Sequence, residues 1–147
     1  MESISEQPLK TVILVEDDDL VRRLVSRVLE REGYRVLGAT SGEEGLALLS
    51  RTREADLLLT DVTLPGEVDG LELSRRALKA RTDLKLVCMS GYGAEDMASD
   101  LLRIASTAVF LGKPFTTGEL IETVSRVLYG APSLSDGSRA SELAEGF

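Results

Sequence analysis

The sequence predicts an α/β fold in which five parallel strands alternate with five helices. Short apolar runs, such as those at 11–15 and 56–60, are typical of strands covered on both faces. The segments between the runs carry apolar residues at three- and four-residue intervals, as on one face of a helix. Strict alternation favours a doubly wound parallel sheet, because right-handed crossovers place helices on both of its faces.

The first strand is predicted at 11–15, where an acidic cluster ends the apolar run. The first helix is predicted at 20–32, because its apolar residues repeat with helical spacing and Gly33 supplies a stop. Asp18 or Asp19 is predicted to cap this helix, since a short carboxylate side chain accepts hydrogen bonds from the first free amides.

The same two patterns alternate through the rest of the chain to residue 128. The second helix follows a Ser41-Gly42 pair that suits a helix start. Strands are predicted at 34–39, 56–60, 84–89 and 108–111, and helices at 43–53, 71–80, 94–105 and 118–128.

This element order matches the flavodoxin-like strand order 2-1-3-4-5. In such a sheet the functional crevice lies beyond the carboxyl ends of the first and third strands, where the strand order reverses. We expect one domain at 11–129, between a flexible leader at 1–10 and a flexible tail at 130–147 that is rich in Ala, Ser and Gly.

Composition excludes several function classes. The formal net charge of −8 repels phosphate backbones, so direct nucleic-acid binding is not expected. No apolar run approaches the roughly 18 residues of a membrane span, and we expect a cytoplasmic protein. The single cysteine, Cys88, is predicted to be a buried core residue. The chain has no histidine, which removes the commonest general base and the commonest zinc ligand.

Polar residues follow four of the predicted strands. The first strand delivers Glu16 and Asp17, the third delivers Asp61, the fourth Ser90 and the fifth Lys113. Three carboxylates at one sheet edge repel one another unless a cation or protons neutralise them. Mg²⁺ prefers oxygen ligands and suits a site without histidine or cysteine.

Four segments at these strand ends resemble the receiver family of two-component response regulators, over about 11–128. Each segment is a weak pattern alone, and together, in this order, they are specific. They are Val15-Glu16-Asp17-Asp18, Leu59-Thr60-Asp61-Val62-Thr63-Leu64-Pro65, Met89-Ser90-Gly91-Tyr92 and Lys113-Pro114-Phe115. The loop at 65–70 is one residue longer than in many receivers and is similar to that of hybrid-kinase-associated or stand-alone receivers.

The resemblance implies a role for each matching residue. Asp61 matches the phosphoacceptor aspartate. Glu16 and Asp17 match the acidic pair that binds Mg²⁺, with Asp17 the more direct ligand. The backbone carbonyl of Thr63 matches a further ligand of the ion.

Three more residues match positions that act on the phosphoryl group or report its presence. Ser90 matches the hydroxyl residue that hydrogen-bonds the phosphoryl group. Lys113 matches the lysine that pairs with its oxygens, and the Lys113-Pro114 bond is typically cis in this family. Phe110 falls at the aromatic switch position.

The implied function is that of a single-domain response regulator rather than a turnover enzyme, although it would catalyse its own phosphorylation and dephosphorylation. The expected partners are a sensor histidine kinase or histidine phosphotransfer protein and a downstream protein. Output, and a homodimer if one forms, would use the fourth helix, fifth strand and fifth helix. Core burial explains most apolar residues of the first helix, and any that are exposed, with Val21 and Val25 as candidates, could accept the donor's helix.

Two other function classes stay open. A haloacid-dehalogenase-type phosphatase also uses a strand-end aspartate with Mg²⁺, but it needs a second aspartate two residues on, where this chain has Thr63. A phosphorylation-independent adaptor would keep the fold without using the site. Its usual sign is loss of an acid, the hydroxyl or the lysine, and none is missing here.

Overall fold

A computed structural model describes residues 9–91, 99–100, 103 and 108–130. Its five strands form one parallel sheet in the order β2-β1-β3-β4-β5, which confirms the predicted fold class. The elements are β1 Thr11–Val15, α1 Asp19–Arg31, β2 Arg35–Ala39, α2 Gly42–Arg51, β3 Ala55–Asp61, α3 Gly70–Ala80, β4 Lys85–Ser90, β5 Val109–Gly112 and α4 Thr117–Tyr129.

The observed boundaries differ from the predicted ones by one or two residues. Strands β3 and β4 extend to Asp61 and Ser90, so these two side chains project from the last strand residue rather than from the loop beyond it. The helix predicted at 118–128 is α4 of the structure. Most of the helix predicted at 94–105 lies outside the described residues, and Ser99, Asp100 and Arg103 within it are helical. The leader at 1–8 and the tail at 131–147 lie outside them as well.

Each described helix begins at a side chain that accepts a hydrogen bond from the first turn. Asp18, one of the two predicted candidates, caps α1 and accepts from the amides of Leu20 at 2.9 Å and Val21 at 3.1 Å. Such a cap contributes about 1 kcal/mol. The corresponding caps are Ser41 for α2, Asp69 for α3 and Thr116 for α4.

The core consists of two apolar layers, one on each face of the sheet. Side chains of β1 alternate between them: Ile13 and Val15 pack with α2 and α3, while Val12 and Leu14 pack with α1 and α4. This alternation follows from the two-residue period of a strand. Both layers pack against β1 and β3, and this packing fixes the ends of these two central strands.

One of the two α1 residues considered as donor contacts, Val25, is not exposed. Val25 is fully buried in the core between α1, α4 and the sheet, so it cannot contact a partner. Val21 is partly buried. The exposed large apolar residue at this end of α1 is Leu20, with 66% of its surface accessible.

The loop from β3 to α3 is closely packed against the backbone of its neighbours. Val68 is buried, and a Cβ on Gly42 would lie 2.1 Å from the Val68 carbonyl oxygen. Gly66 has a positive φ of 86°, which favours glycine. At Gly70, a Cβ would lie 2.0 Å from the carbonyl oxygen of Asp61. The longer loop is therefore accommodated by a buried valine and by close backbone approach.

Gly70→Ala is expected to lower the free energy of unfolding by about 1–3 kcal/mol, because the added methyl must displace the backbone of β3. Urea denaturation measures the change. Gly112→Ala is the matched control, since a Cβ there meets no atom within 4 Å, and it should change stability by less than about 0.5 kcal/mol. Equal stability of the two variants would contradict the close packing at Gly70.

Cys88 is buried in β4, as predicted. Burial raises the pKa of its thiol from 9.0 to about 12, more than the nearby Ser74 hydroxyl lowers it. Since the raised pKa belongs to the folded state, the stabilising contribution of the neutral thiol is complete below pH 9. It is lost as the pH rises toward 12.

The folded protein should react with an aromatic disulfide reagent at pH 8 about 1,000-fold more slowly than the urea-unfolded chain. The reason is that each unit of pKa increase lowers the thiolate fraction about tenfold. Absorbance of the released thiol follows the reaction in both states. Rapid labelling of the folded chain at a rate near that of the unfolded chain would show that Cys88 is accessible.

Across the described residues, no helix combines the length and apolar character that crossing a membrane requires.

Candidate functional site

The carboxyl ends of the parallel strands bring four of the predicted site residues to one edge of the sheet. Glu16 follows β1, Asp61 ends β3, Ser90 ends β4 and Lys113 follows β5. Glu16 donates its backbone amide to the carbonyl of Ala39, so the turn that follows β1 is tied to the end of β2. The four positions come from parts of the chain almost one hundred residues apart, and only the sheet order makes them neighbours.

The Lys113 ammonium lies between two buried carboxylates. Its Nζ atom donates to Glu16 Oε1 at 2.7 Å and to Asp61 Oδ2 at 2.8 Å. The side chain of Glu16 is 1% exposed and that of Asp61 12% exposed, whereas that of Lys113 is 26% exposed. This lysine therefore supplies the positive charge that lets two acids share one edge of the sheet.

Burial and pairing act in opposite directions on these groups. Burial of the Glu16 carboxyl raises its pKa above the ordinary value, and the hydrogen bonds from Lys113 and from the Asp18 amide only partly offset this. Burial alone would lower the pKa of Lys113, but its hydrogen bonds to Asp61 and Glu16 outweigh burial and raise the pKa. The lysine is therefore charged at neutral pH.

The second oxygen of each carboxylate is held by a backbone amide. Glu16 Oε2 accepts from the amide of Asp18 at 3.0 Å, and Asp61 Oδ1 accepts from the amide of Thr63 at 3.0 Å. Each acid is thus fixed at both oxygens before any ligand arrives. Such fixed geometry reduces the reorganisation that a reaction at Asp61 would need.

Glu16, Asp17 and Asp61 together form a set of oxygen donors that fits a hard divalent cation. One oxygen from each carboxylate lies within 4.8 Å of the others. Asp17 is exposed, whereas Glu16 and Asp61 are buried, so the cluster opens to solvent at Asp17. Oxygen donors with access to water are the environment in which Mg²⁺ is usually bound.

The remaining predicted residues lie at the same edge or directly behind it. Thr63 is exposed, and its amide contacts Asp61. The Ser90 carbonyl accepts from the amide of Lys113 at 2.7 Å, which joins the ends of β4 and β5. Phe110 lies on β5, partly buried against the apolar layer that contains Cys88. The bond between Lys113 and Pro114 is cis, as the resemblance implied.

Sequence reasoning missed Arg22, which braces the acidic turn from the first helix. Its Nη1 donates to the Glu16 carbonyl at 3.0 Å, and its Nη2 donates to Asp19 Oδ1 at 2.7 Å. The side chain therefore ties the backbone of Glu16 to α1. The available signal was an arginine one helical turn after Asp18, but many surface arginines have that spacing.

Known proteins resemble the chain over most of its length. A family model described as response regulator receiver domain matches residues 12–125. The response regulator receiver protein CpdR of Brucella abortus (strain 2308) is 35% identical over 125 residues, a match that covers 84% of this chain and 100% of that protein.

Two further similarities differ in extent. Sensor kinase CckA of the same organism is 40% identical over 119 residues, covering 80% of this chain, and the chain spans only 12% of that kinase's length. The crystal structure of a CheY-like response regulator receiver domain protein from Methanospirillum hungatei JF-1 matches with a TM-score of 0.76 and 31% identity. That match covers 82% of this chain and 94% of the other.

Lys113→Met is expected to raise the affinity for Mg²⁺, because the lysine charge opposes a cation at the carboxylates it contacts. Two unit charges about 4 Å apart interact by about 1 kcal/mol even in water, so the gain should be about fivefold or more. Isothermal titration calorimetry measures it.

Lys85→Met is the matched control for this effect. It removes the same charge from an exposed position at the start of β4 and should leave the Mg²⁺ affinity unchanged. If Lys113→Met bound Mg²⁺ no more tightly than the control, the lysine would not compete with the ion for these oxygens.

Proposed function

This chain belongs to the response regulator receiver family of two-component signalling, and we propose that it accepts a phosphoryl group on Asp61 and thereby switches a protein contact. One observation carries the proposal. The Asp61 carboxylate is held at the sheet edge by the Lys113 ammonium and the Thr63 amide, beside two further acids that complete a cation site. In-line phosphoryl transfer needs chiefly this combination of positioning and charge.

In the proposed reaction, an ionised oxygen of Asp61 attacks the phosphorus atom of a phosphohistidine on a donor protein. An oxygen–phosphorus bond forms as the nitrogen–phosphorus bond breaks, and the donor's imidazole keeps the electron pair and takes a proton from solvent. The product is an acyl phosphate at Asp61. Later attack by water on phosphorus releases inorganic phosphate and restores the carboxylate.

The Lys113 side chain stabilises the charge of the phosphoryl oxygens. In the structure its ammonium donates a hydrogen bond to Asp61 Oδ2, so it lies beside the carboxylate that would carry the phosphoryl group. We expect the ammonium to follow the charge onto a phosphoryl oxygen. The Ser90 hydroxyl, at the end of the neighbouring strand, donates to another.

Glu16, Asp17 and Asp61 would hold Mg²⁺ through side-chain oxygens, with the Thr63 carbonyl as a further ligand. When bound, the ion neutralises negative charge on the phosphoryl group and the surrounding carboxylates. Glu16 is the most deeply buried member of the set and keeps its orientation through the Asp18 amide. Asp17 is the exposed member and is the first to meet an ion from solvent.

The proposed output is a shift between two packings of Ser90 and Phe110. Movement of Ser90 toward the phosphoryl group would leave space for the partly buried Phe110 ring to move inward. This would alter the surface of β5 and α4 together with the segment at 94–105, where we place the downstream protein and any homodimer contact.

A sensor histidine kinase or a histidine phosphotransfer protein is the proposed donor, in the cytoplasm. Leu20, exposed at the start of α1 beside the acidic turn, replaces Val25 as the apolar residue available to the donor's helix. We propose that the chain acts as a stand-alone regulator, a role supported by its match to the whole of CpdR. It would be a signalling protein whose reaction modifies itself.

The two alternative functions lack support in the geometry. Thr63 occupies the position where a phosphatase of the haloacid-dehalogenase type needs its acid, and its amide is committed to Asp61. A phosphorylation-independent adaptor has no need of a lysine held between two buried acids. Burying charged groups costs free energy, because it removes their hydration. A function at the site accounts for keeping such an arrangement.

Asp61→Asn should abolish phosphate incorporation from acetyl phosphate in the presence of Mg²⁺, since an amide oxygen is a poor nucleophile and carries no charge. Intact-protein mass spectrometry measures the incorporation. Asp56→Asn is the matched control, because this aspartate lies on the same strand at the opposite edge, bound to the Thr11 amide at 2.8 Å.

The control variant should incorporate phosphate as the wild type does. Absence of incorporation into the wild-type chain, with acetyl phosphate and with a beryllium fluoride adduct in place of phosphate, would favour the adaptor. Incorporation into Asp61→Asn would move the acceptor to another residue.

A further inference from the structure

An apolar groove of about 380 Å³ lies between α2 and α3, on a different surface from the acidic edge. Its floor is formed by Leu46, Leu49, Ala77 and Ala80, and Ser50 adds a hydroxyl. Leu49 and Ala77 belong to the core layer beneath, so the groove is an open extension of that layer. Apolar floors of this kind favour an apolar side chain from a partner segment.

All the charged residues that line this groove are basic. Arg53, Arg76 and Arg81 form its rim, and the described lining includes no carboxylate. This is unusual for a chain with a net charge of −8. Arg76 already pairs with Glu72, whereas Arg53 has no ion pair among the described residues. The groove therefore suits a segment that combines apolar and acidic side chains.

One guanidinium at the rim lacks a full set of acceptors. Arg81 donates from Nη2 to the carbonyl of Ala55 at 2.7 Å and lies at 3.5 Å from Asp83 through Nε. Its Nη1 atom is buried and has no hydrogen-bond partner within the described residues.

A second cavity, of about 300 Å³, shares part of its lining with the groove. Arg53 and Arg81 line both cavities, and Leu128 of α4 lines the second one. The chain leaves α4 at Gly130, two residues after Leu128. The described end of α4 therefore lies beside a cavity that shares two arginines with the groove.

The segment at 141–147 has the chemistry that the groove requires. It reads Ser-Glu-Leu-Ala-Glu-Gly-Phe, with Leu143 and Phe147 four residues apart and two glutamates beside them. It contains no basic residue. The stretch at 131–140 that connects it to α4 can span up to about 33–36 Å when extended, which is several times the width of a cavity of this size.

We propose that residues 141–147 dock in the groove between α2 and α3 of the same chain. Leu143 and Phe147 cover the apolar floor, while Glu142 and Glu145 pair with the arginine rim. Attachment of the segment to α4 gives it a high effective concentration at the groove, so modest contacts suffice. This contact is independent of phosphoryl transfer at Asp61.

Paramagnetic relaxation in the full chain tests the proposal. A nitroxide is attached at Ser141→Cys, and the native Cys88 is buried and unreactive. We expect loss of amide peak intensity at Leu49, Ala77 and Ala80, with α1 unaffected. Mixing spin-labelled chain with isotope-labelled chain that carries no nitroxide should cause no loss, because the contact lies within one chain.

Two sets of variants decide where the segment lies. Ala80→Glu puts a negative charge in the groove and should restore the peak intensities, whereas Ala47→Glu, the same change at an exposed position of α2 outside the groove, should not. Replacing Leu143 and Phe147 with Ser should also restore them without touching the folded domain.

Three results would overturn the proposal. They are uniform intensities in the spin-labelled chain, a loss that persists in Ala80→Glu, and a loss that appears in the mixed sample. The last of these would assign the contact to a second copy of the chain.

Discussion

The sharing of one ammonium group by Glu16 and Asp61 is the interaction on which the rest of the site depends. Two carboxylates buried at one edge would repel each other, and each would be costly to remove from water. The Lys113 ammonium contacts both carboxylates at hydrogen-bond distance. Its positive charge therefore offsets the repulsion between the two acids. Their remaining oxygens are fixed by the amides of Asp18 and Thr63. The site is therefore organised in advance and held by charge.

The parallel sheet positions the three side chains of this interaction. Glu16 follows β1, Asp61 ends β3 and Lys113 follows β5. Two apolar layers pack against these strands, one on each face of the sheet. The backbone at Gly70 packs closely against the carbonyl of Asp61. In the proposed reaction, a cation or a phosphoryl group would take over charge contacts that the lysine makes at this edge.

Much of the architecture was predictable because strands buried on both faces and amphipathic helices have distinct periodicities. The strand order and the gathering of Glu16, Asp61 and Lys113 followed from that alternation, and Asp18 was recognisable as a cap. Strand ends were less predictable: Asp61 and Ser90 close their strands because each pairs with a neighbouring strand, which periodicity does not reveal. The exposure of Leu20 rather than Val25, and the brace from Arg22, depend on how α1 is rotated against the sheet. No local pattern specifies that rotation.

The most direct test of the account is to locate the acyl phosphate chemically. The chain is phosphorylated with acetyl phosphate and Mg²⁺, the acyl phosphate is reduced with borohydride, and the peptides are sequenced by tandem mass spectrometry. The account predicts homoserine at position 61 and unmodified acids at positions 16 and 17. Homoserine at either of those positions, or no reduced residue in a chain that has taken up phosphate, would contradict it.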